Sequence, residues 1–204
     1  MIDSTLDTLY LSVDLETYGL SATAVVLSIG ACVIPSTPLG EIPTADQFYR
    51  EIDNGRDSQP GRTIDPSTLE WWKEEQAKGS CCPLNGTSPL VSILAEFNLW
   101  IEIQKKARGV EKISLWANGT DFDIAILYHA MRQFGIRPAW KYNEVRDLRT
   151  LRSIFPSIPA PTPNTMRHNA VYDALYQARH VAELLDYVEL LQIVSFYTQS
   201  RNGV

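Results

Sequence analysis

Residues 9–15 form an apolar run in which Leu9, Leu11 and Val13 alternate with Tyr10 and Ser12. That is the period-two pattern of a β-strand. The run ends on two acids, Asp14 and Glu16, with Leu15 between them. Side chains two residues apart on a strand point to the same face, so the two carboxylates must stand side by side. Like charges so placed raise each other's pKa and cost free energy unless something positive sits between them. Oxygen donors of this kind suit a divalent cation such as Mg²⁺ or Mn²⁺. Taken alone the pair also reads as a solvated strand end; as a ligand site it needs further acids brought to the same place.

The remaining pattern supplies four more strands and five helices. Residues 23–34, "TAVVLSIGACVI", form a second β-rich run, joined to the first by a short turn around Gly19 that suits antiparallel pairing. "DQFYREI" alternates as a third strand, "KISLWAN" reads as a fourth and "AWKYNEV" as a fifth. A helix is expected after Asp65 or Ser67, with Pro66 in its first turn. A second, capped by Ser88, carries Leu90, Ile93, Leu94, Phe97, Trp100 and Ile101 at helical spacing. Further helices are expected over 123–133, over "DLRTLRSIF" and over 171–193, while the proline-rich 156–163 must be a loop. Three strands, helices, then alternating strand and helix point to an α/β architecture with a mixed five-stranded sheet flanked by helices.

The 204 residues, 45% hydrophobic and 21% charged, suit a soluble globular protein read as one domain over 1–204. No stretch approaches the ~18 apolar residues of a membrane span. The N-terminus has acids where a signal peptide would be basic, and three cysteines make no disulfide framework. A cytoplasmic setting and no membrane partner are expected; the oligomeric state stays open. The formal net charge of −6 is the reverse of a passive nucleic-acid binder. Any such function must be arranged differently, for example through cations that offset carboxylates.

Two more segments carry acids toward the same edge. "LWANGTDFDIAIL" runs from a strand through a Gly turn into a helix and holds Asp121 and Asp123. "RHNAVYDALYQA" places His168 just before the last helix and Asp173 in its first turns. Ligand sites of α/β sheets gather beyond the carboxyl ends of the strands. D-x-E, F-D and H-x4-D in this order resemble the three motifs of the DEDDh family, the proofreading-type 3′–5′ exonuclease branch of the ribonuclease H-like superfamily. "STLEWWKEEQ", "WANGTDFDIAIL" and "DLRTL" are more narrowly similar to phage and bacterial exonuclease VIII-like proteins and to T-even phage exonuclease A-like proteins. The F-D alignment makes Asp123, not Asp121, the match.

The resemblance implies a ribonuclease H-like fold and two cations, Mg²⁺ or Mn²⁺, held by Asp14, Glu16, Asp123 and Asp173. It implies His168 as the general base and release of nucleoside 5′-monophosphates. The residues suit that chemistry independently. Phosphodiester hydrolysis needs an activated water, neutralised phosphate charge and a stabilised leaving oxygen, which two metals can supply. Histidine is the side chain suited to take the water's proton. Single-stranded DNA 3′ ends are the expected substrate, with a 3′–5′ exoribonuclease as the rival enzyme and a catalytically silent nucleic-acid-binding module as the rival of another class. For substrate contacts the candidates are Tyr18 and Gly19 through their backbone, Trp72 as a stacking platform and Arg167. Consecutive helical residues point about 100° apart, so Trp71 and Trp72 cannot both face the core; core packing is the alternative reading of this pair. Arg50, Lys73, Arg146 and Arg149 are further phosphate-contact candidates.

Overall fold

The computed structural model describes residues 7–162 and 168–201. Five strands, β1 (Thr8–Thr17), β2 (Val26–Val33), β3 (Gln47–Glu51), β4 (Lys112–Ala117) and β5 (Val145–Asp147), form one sheet in the order β3-β2-β1-β4-β5. β1 lies centrally, antiparallel to β2 and parallel to β4; β2 and β3 are antiparallel, β4 and β5 parallel. The helices are α1 (Pro66–Ala77), α2 (Leu90–Arg108), α3 (Asp123–Gln133), α4 (Leu148–Ile154) and α5 (Ala170–Arg201). The described residues contain no helix long and apolar enough to cross a membrane.

β1 separates two chemistries. Leu9, Leu11, Val13 and Leu15 are at most 3% exposed and pack with Ile93, Leu94 and Phe97 of α2 and Ile126 and Leu127 of α3. Full burial of such side chains is worth about 1.5–3 kcal/mol each. Four of them anchor the strand firmly enough for its other face to carry mutually repelling acids. That other face lies under α5, where Cys32 and Trp116 of the sheet meet Ala174, Ala178 and Val181.

Gly30 fixes how closely α5 approaches. It pairs with Asp14 across β1 and β2, and a Cβ built on it would run into the backbone of Ala170 and Val171. Only a residue without a side chain lets the first turn of α5 rest on the sheet beside Asp14. The pairing register slips just after Glu16, an irregularity of the kind that re-aims side chains beside active sites.

Three expected boundaries differ. Ser88 does not cap α2: the cap residue is Pro89, the Ser88 carbonyl accepts from Asp53 N–H, and Leu90 N–H instead donates to Ser58 Oγ at 3.2 Å. The fifth strand is only Val145–Asp147, because 142–144 close a 3₁₀ turn in which Glu144 accepts from Lys141 N–H at 2.7 Å. The last helix runs to Arg201. Asp65 caps α1 by accepting from Ser67 N–H at 2.9 Å, with Pro66 at the first helical position.

Candidate active site

The carboxylates gather where β1 meets the starts of α3 and α5. Asp14, Glu16 and Asp173 each bring one oxygen within 4.8 Å of the others. Asp123, the first residue of α3 and 2% exposed, reaches the same place. Its Oδ1 accepts from Leu15 N–H at 3.1 Å, between the two acids of β1, and its charge acts on both Asp14 and Glu16. Asp121 is exposed on the preceding turn. The two acids of the NGTDFD segment are thus separated, one exposed on the turn and the other buried at the cluster.

α5 delivers its residues through a strained entry. His168 has φ +62, a left-handed backbone that is uncommon for a residue other than glycine. This bend aims its N–H at Asp173 Oδ2, 3.0 Å away. Asn169 then opens the helix, its Oδ1 accepting from Val171 N–H at 3.2 Å. The His168 imidazole lies edge-to-face on Trp71, ring centres 4.8 Å apart. One turn beyond Asp173, Gln177 Nε2 donates to Asp14 Oδ1 at 2.6 Å. Neither Gln177 nor Trp71 stood among the expected site residues. Gln177 was findable, since it lies four residues after Asp173 and so on the same helical face.

Three of these carboxyls hold protons tightly. Burial, followed by the charges of Asp173 and Asp123, pushes Glu16 up to about 8. Burial pushes Asp123 up to about 7, against the Leu15 N–H and the nearby Arg149. Asp14 is raised well above the ordinary carboxylate range by burial and then by Asp123, Glu16 and Asp173, opposed by the Gln177 amide. Crowded oxygen donors with this affinity for positive charge fit a divalent cation.

These shifts predict an inverted pH dependence. The folded protein retains protons that the unfolded chain, with ordinary values of 3.8 and 4.5, has already released. Stability is therefore lost as pH rises toward the folded values of about 7 and about 8. Buried His180, pushed down by desolvation and then Arg152, works the other way below its ordinary range. The fall should thus show from pH 6.5 to 8.5. The metal-free melting temperature should drop across this window by several degrees, each kcal/mol being worth about 2–4 °C at this size. Mg²⁺ or Mn²⁺ should restore it most at the alkaline end. A scanning-fluorimetry midpoint that is flat or rising without metal would refute the crowding.

A cleft of about 330 Å³ opens beside Glu16, with Leu20, Ser67, Thr68, Trp71 and Phe122 among its walls. Trp71 is half-buried there, whereas Trp72 is 1% exposed with its indole N–H on the Thr17 carbonyl at 2.9 Å. Both indoles belong to the wall of the cleft, and Trp71 is the more open member of the pair. The Tyr18 ring packs with Val25, Leu27 and Trp72, and its N–H and carbonyl are bonded to Val25 and Asp65. Gly19 is buried against Asp65, its carbonyl accepting from Thr17 Oγ1 at 2.6 Å. Arg167 lies outside the described residues. Arg50 pairs with Glu96 at 2.9 Å, Lys73 with Glu70 at 3.0 Å, and Arg146 donates to the carbonyls of Asn143 and Val145. Arg149 instead stands over Gly119, near enough to draw on Asp123.

The Rv2179c-like family, described as the 3′-5′ exoribonuclease Rv2179c-like domain, matches residues 9–185. No curated protein sequence matches the chain. Among solved structures, the nuclease domain of 3′hExo, a DEDDh family member bound to rAMP, is similar with a TM-score of 0.64. Identity is 14% over 90% of this chain and 94% of that one. The RNase domain of yeast Pop2 follows with TM-score 0.55, 10% identity, and 87% and 77% coverage of this and that chain. Escherichia coli exonuclease I in complex with a dT13 oligonucleotide has TM-score 0.53 and 18% identity, over 90% of this chain and 43% of that one. At such identities the likeness is one of fold, and the fold is that of ribonuclease H-like DEDDh exonucleases.

Proposed function

The chain belongs to the Rv2179c-like 3′–5′ exoribonuclease domain family and is a 3′–5′ exonuclease, and on that premise we propose that it trims single-stranded RNA from the 3′ end, as one catalytic domain, releasing nucleoside 5′-monophosphates. The observation that carries this reading is the convergence of Asp14, Glu16 and Asp173 oxygens within 4.8 Å at the point where His168 enters α5. Asp14, Glu16, Asp123 and Asp173 would hold two divalent cations, Mg²⁺ or Mn²⁺. Bound there, the cations supply a nucleophilic water and charge neutralisation at the phosphate and the leaving 3′ oxygen.

The chain's own groups do the rest. The His168 imidazole, on the rim beside Trp71, accepts the proton of the attacking water. The cleft beside Glu16 receives the terminal nucleoside, its base between Leu20, 76% exposed, and the Trp71 and Phe122 rings. Aromatic faces accept any base, so trimming is tolerant of sequence. The family description favours RNA. Single-stranded DNA is the second reading, favoured by the motif likeness to exonuclease VIII-like and T-even exonuclease A-like proteins and by the oligonucleotide in the exonuclease I structure.

The test is a time course on 5′-labelled RNA and DNA oligomers of one sequence, with Mg²⁺, Mn²⁺ or EDTA. A ladder shortening from the 3′ end, faster on RNA and abolished by EDTA, is expected. Faster loss of DNA would move the assignment to the second reading. No shortening with either metal would end it.

A further inference from the structure

The Gln177 side chain grips an acid of the cluster without being an acid itself. Its Nε2 donates to Asp14 Oδ1 at 2.6 Å, and the side chain is enclosed, the residue being 4% exposed. Its own Oε1 is buried with no hydrogen-bond partner among the described residues. A buried amide oxygen left without a partner is costly, so the site retains this amide for its other end. The orientation is also dictated: a flipped amide would set oxygen against the Asp14 carboxylate, and the hydrogen-bond network is what assigns such a choice.

We propose that Gln177 is a positioning residue that fixes the Asp14 carboxylate by holding Oδ1, leaving Oδ2 as the oxygen Asp14 offers to the divalent cation. The geometry of α5 makes this possible. Asp173 and Gln177 are four residues apart and therefore project from one face, so a single helix supplies both a carboxylate of the cluster and the clamp on a second. Because Gly30 lets that helix rest on β1 and β2, the clamp and the acid arrive together. Outer partners of this kind, which orient a ligand without touching the ion, typically change metal affinity 10–100-fold when removed. Asp14 without Gln177 would swing about its two side-chain torsions and meet the ion in fewer of its conformations.

This inference rests on the divalent-cation reading of the site, and the experiment separates the two. Wild type and Gln177→Met, which keeps the length but lacks the N–H, are titrated with Mn²⁺ alone. Binding is followed by calorimetry and by the rise in melting temperature; turnover on an RNA oligomer is then measured against Mn²⁺ concentration. Wild type should bind Mn²⁺. The variant should bind it 10–100-fold more weakly and need correspondingly more for half-maximal turnover, with the KM for RNA at saturating Mn²⁺ unchanged. A merely structural Gln177 would lower the metal-free melting temperature and leave Mn²⁺ affinity alone; that result overturns the proposal. Should Gln177→Met fail to fold by circular dichroism, Gln177→Asn, whose amide is one methylene too short for Asp14, takes the same titration under the same criterion. Absence of Mn²⁺ binding to the wild type would instead refute the cation reading itself.

Discussion

Replacing Asp14 by Asn should lower turnover at saturating Mg²⁺ by at least about 10³-fold, because a metal clamp supplies several kcal/mol to the transition state and each 1.4 kcal/mol is tenfold in rate. The same substitution should raise the melting temperature of the metal-free protein. The two opposite effects have one cause. Asp14 stands beside Asp123, Glu16 and Asp173 in a desolvated place where every one of these charges raises its proton affinity. An amide of the same shape removes that repulsion and leaves the apolar face of β1, with Leu9, Leu11, Val13 and Leu15, untouched. Metal-free stability and activity therefore move apart, as they do where function requires a strained site. Steady-state kinetics and thermal denaturation on one preparation decide the matter. A variant with wild-type turnover would remove Asp14 from the chemistry, and a lower metal-free melting temperature would mean that the acid is stabilising.

The acids were legible in the sequence because a strand's period is unambiguous over 9–16: one register buries the leucines and forces Asp14 and Glu16 together. The α3 boundary over 123–133 was equally plain. What failed depended on contacts between distant segments. Nothing local tells that Ser58, thirty-two residues away in sequence, will meet Leu90 N–H and leave Ser88 to Asp53. Helical spacing showed that Trp71 and Trp72 diverge, yet only the packing of α1 on Thr17 and Val25 decides which one is enclosed. Within the β-rich run over 23–34, nothing local marks the part Gly30 plays. Its role follows from where α5 lands, which lies in the tertiary structure and nowhere in the strand itself.

Substituting His168 should cost turnover about 10²–10⁴-fold, the usual contribution of a general base, with Mn²⁺ binding retained. The structure lets this be tested cleanly, because His168 acts on its neighbours through two separate groups. Its backbone N–H holds Asp173 Oδ2 at 3.0 Å, and that bond survives any change of side chain that keeps the left-handed bend. Asn adopts φ above zero more readily than most residues, so His168→Asn preserves the entry into α5 and the hold on Asp173 while removing the imidazole. His168→Ala strips the side chain but asks alanine to accept φ +62, a conformation costing roughly 1–2 kcal/mol for an ordinary residue. If the imidazole is the base, both variants lose turnover to the same degree, and both still gain melting temperature on adding Mn²⁺. If the essential feature is instead the backbone clamp on Asp173, His168→Asn retains activity while His168→Ala loses both turnover and Mn²⁺ binding.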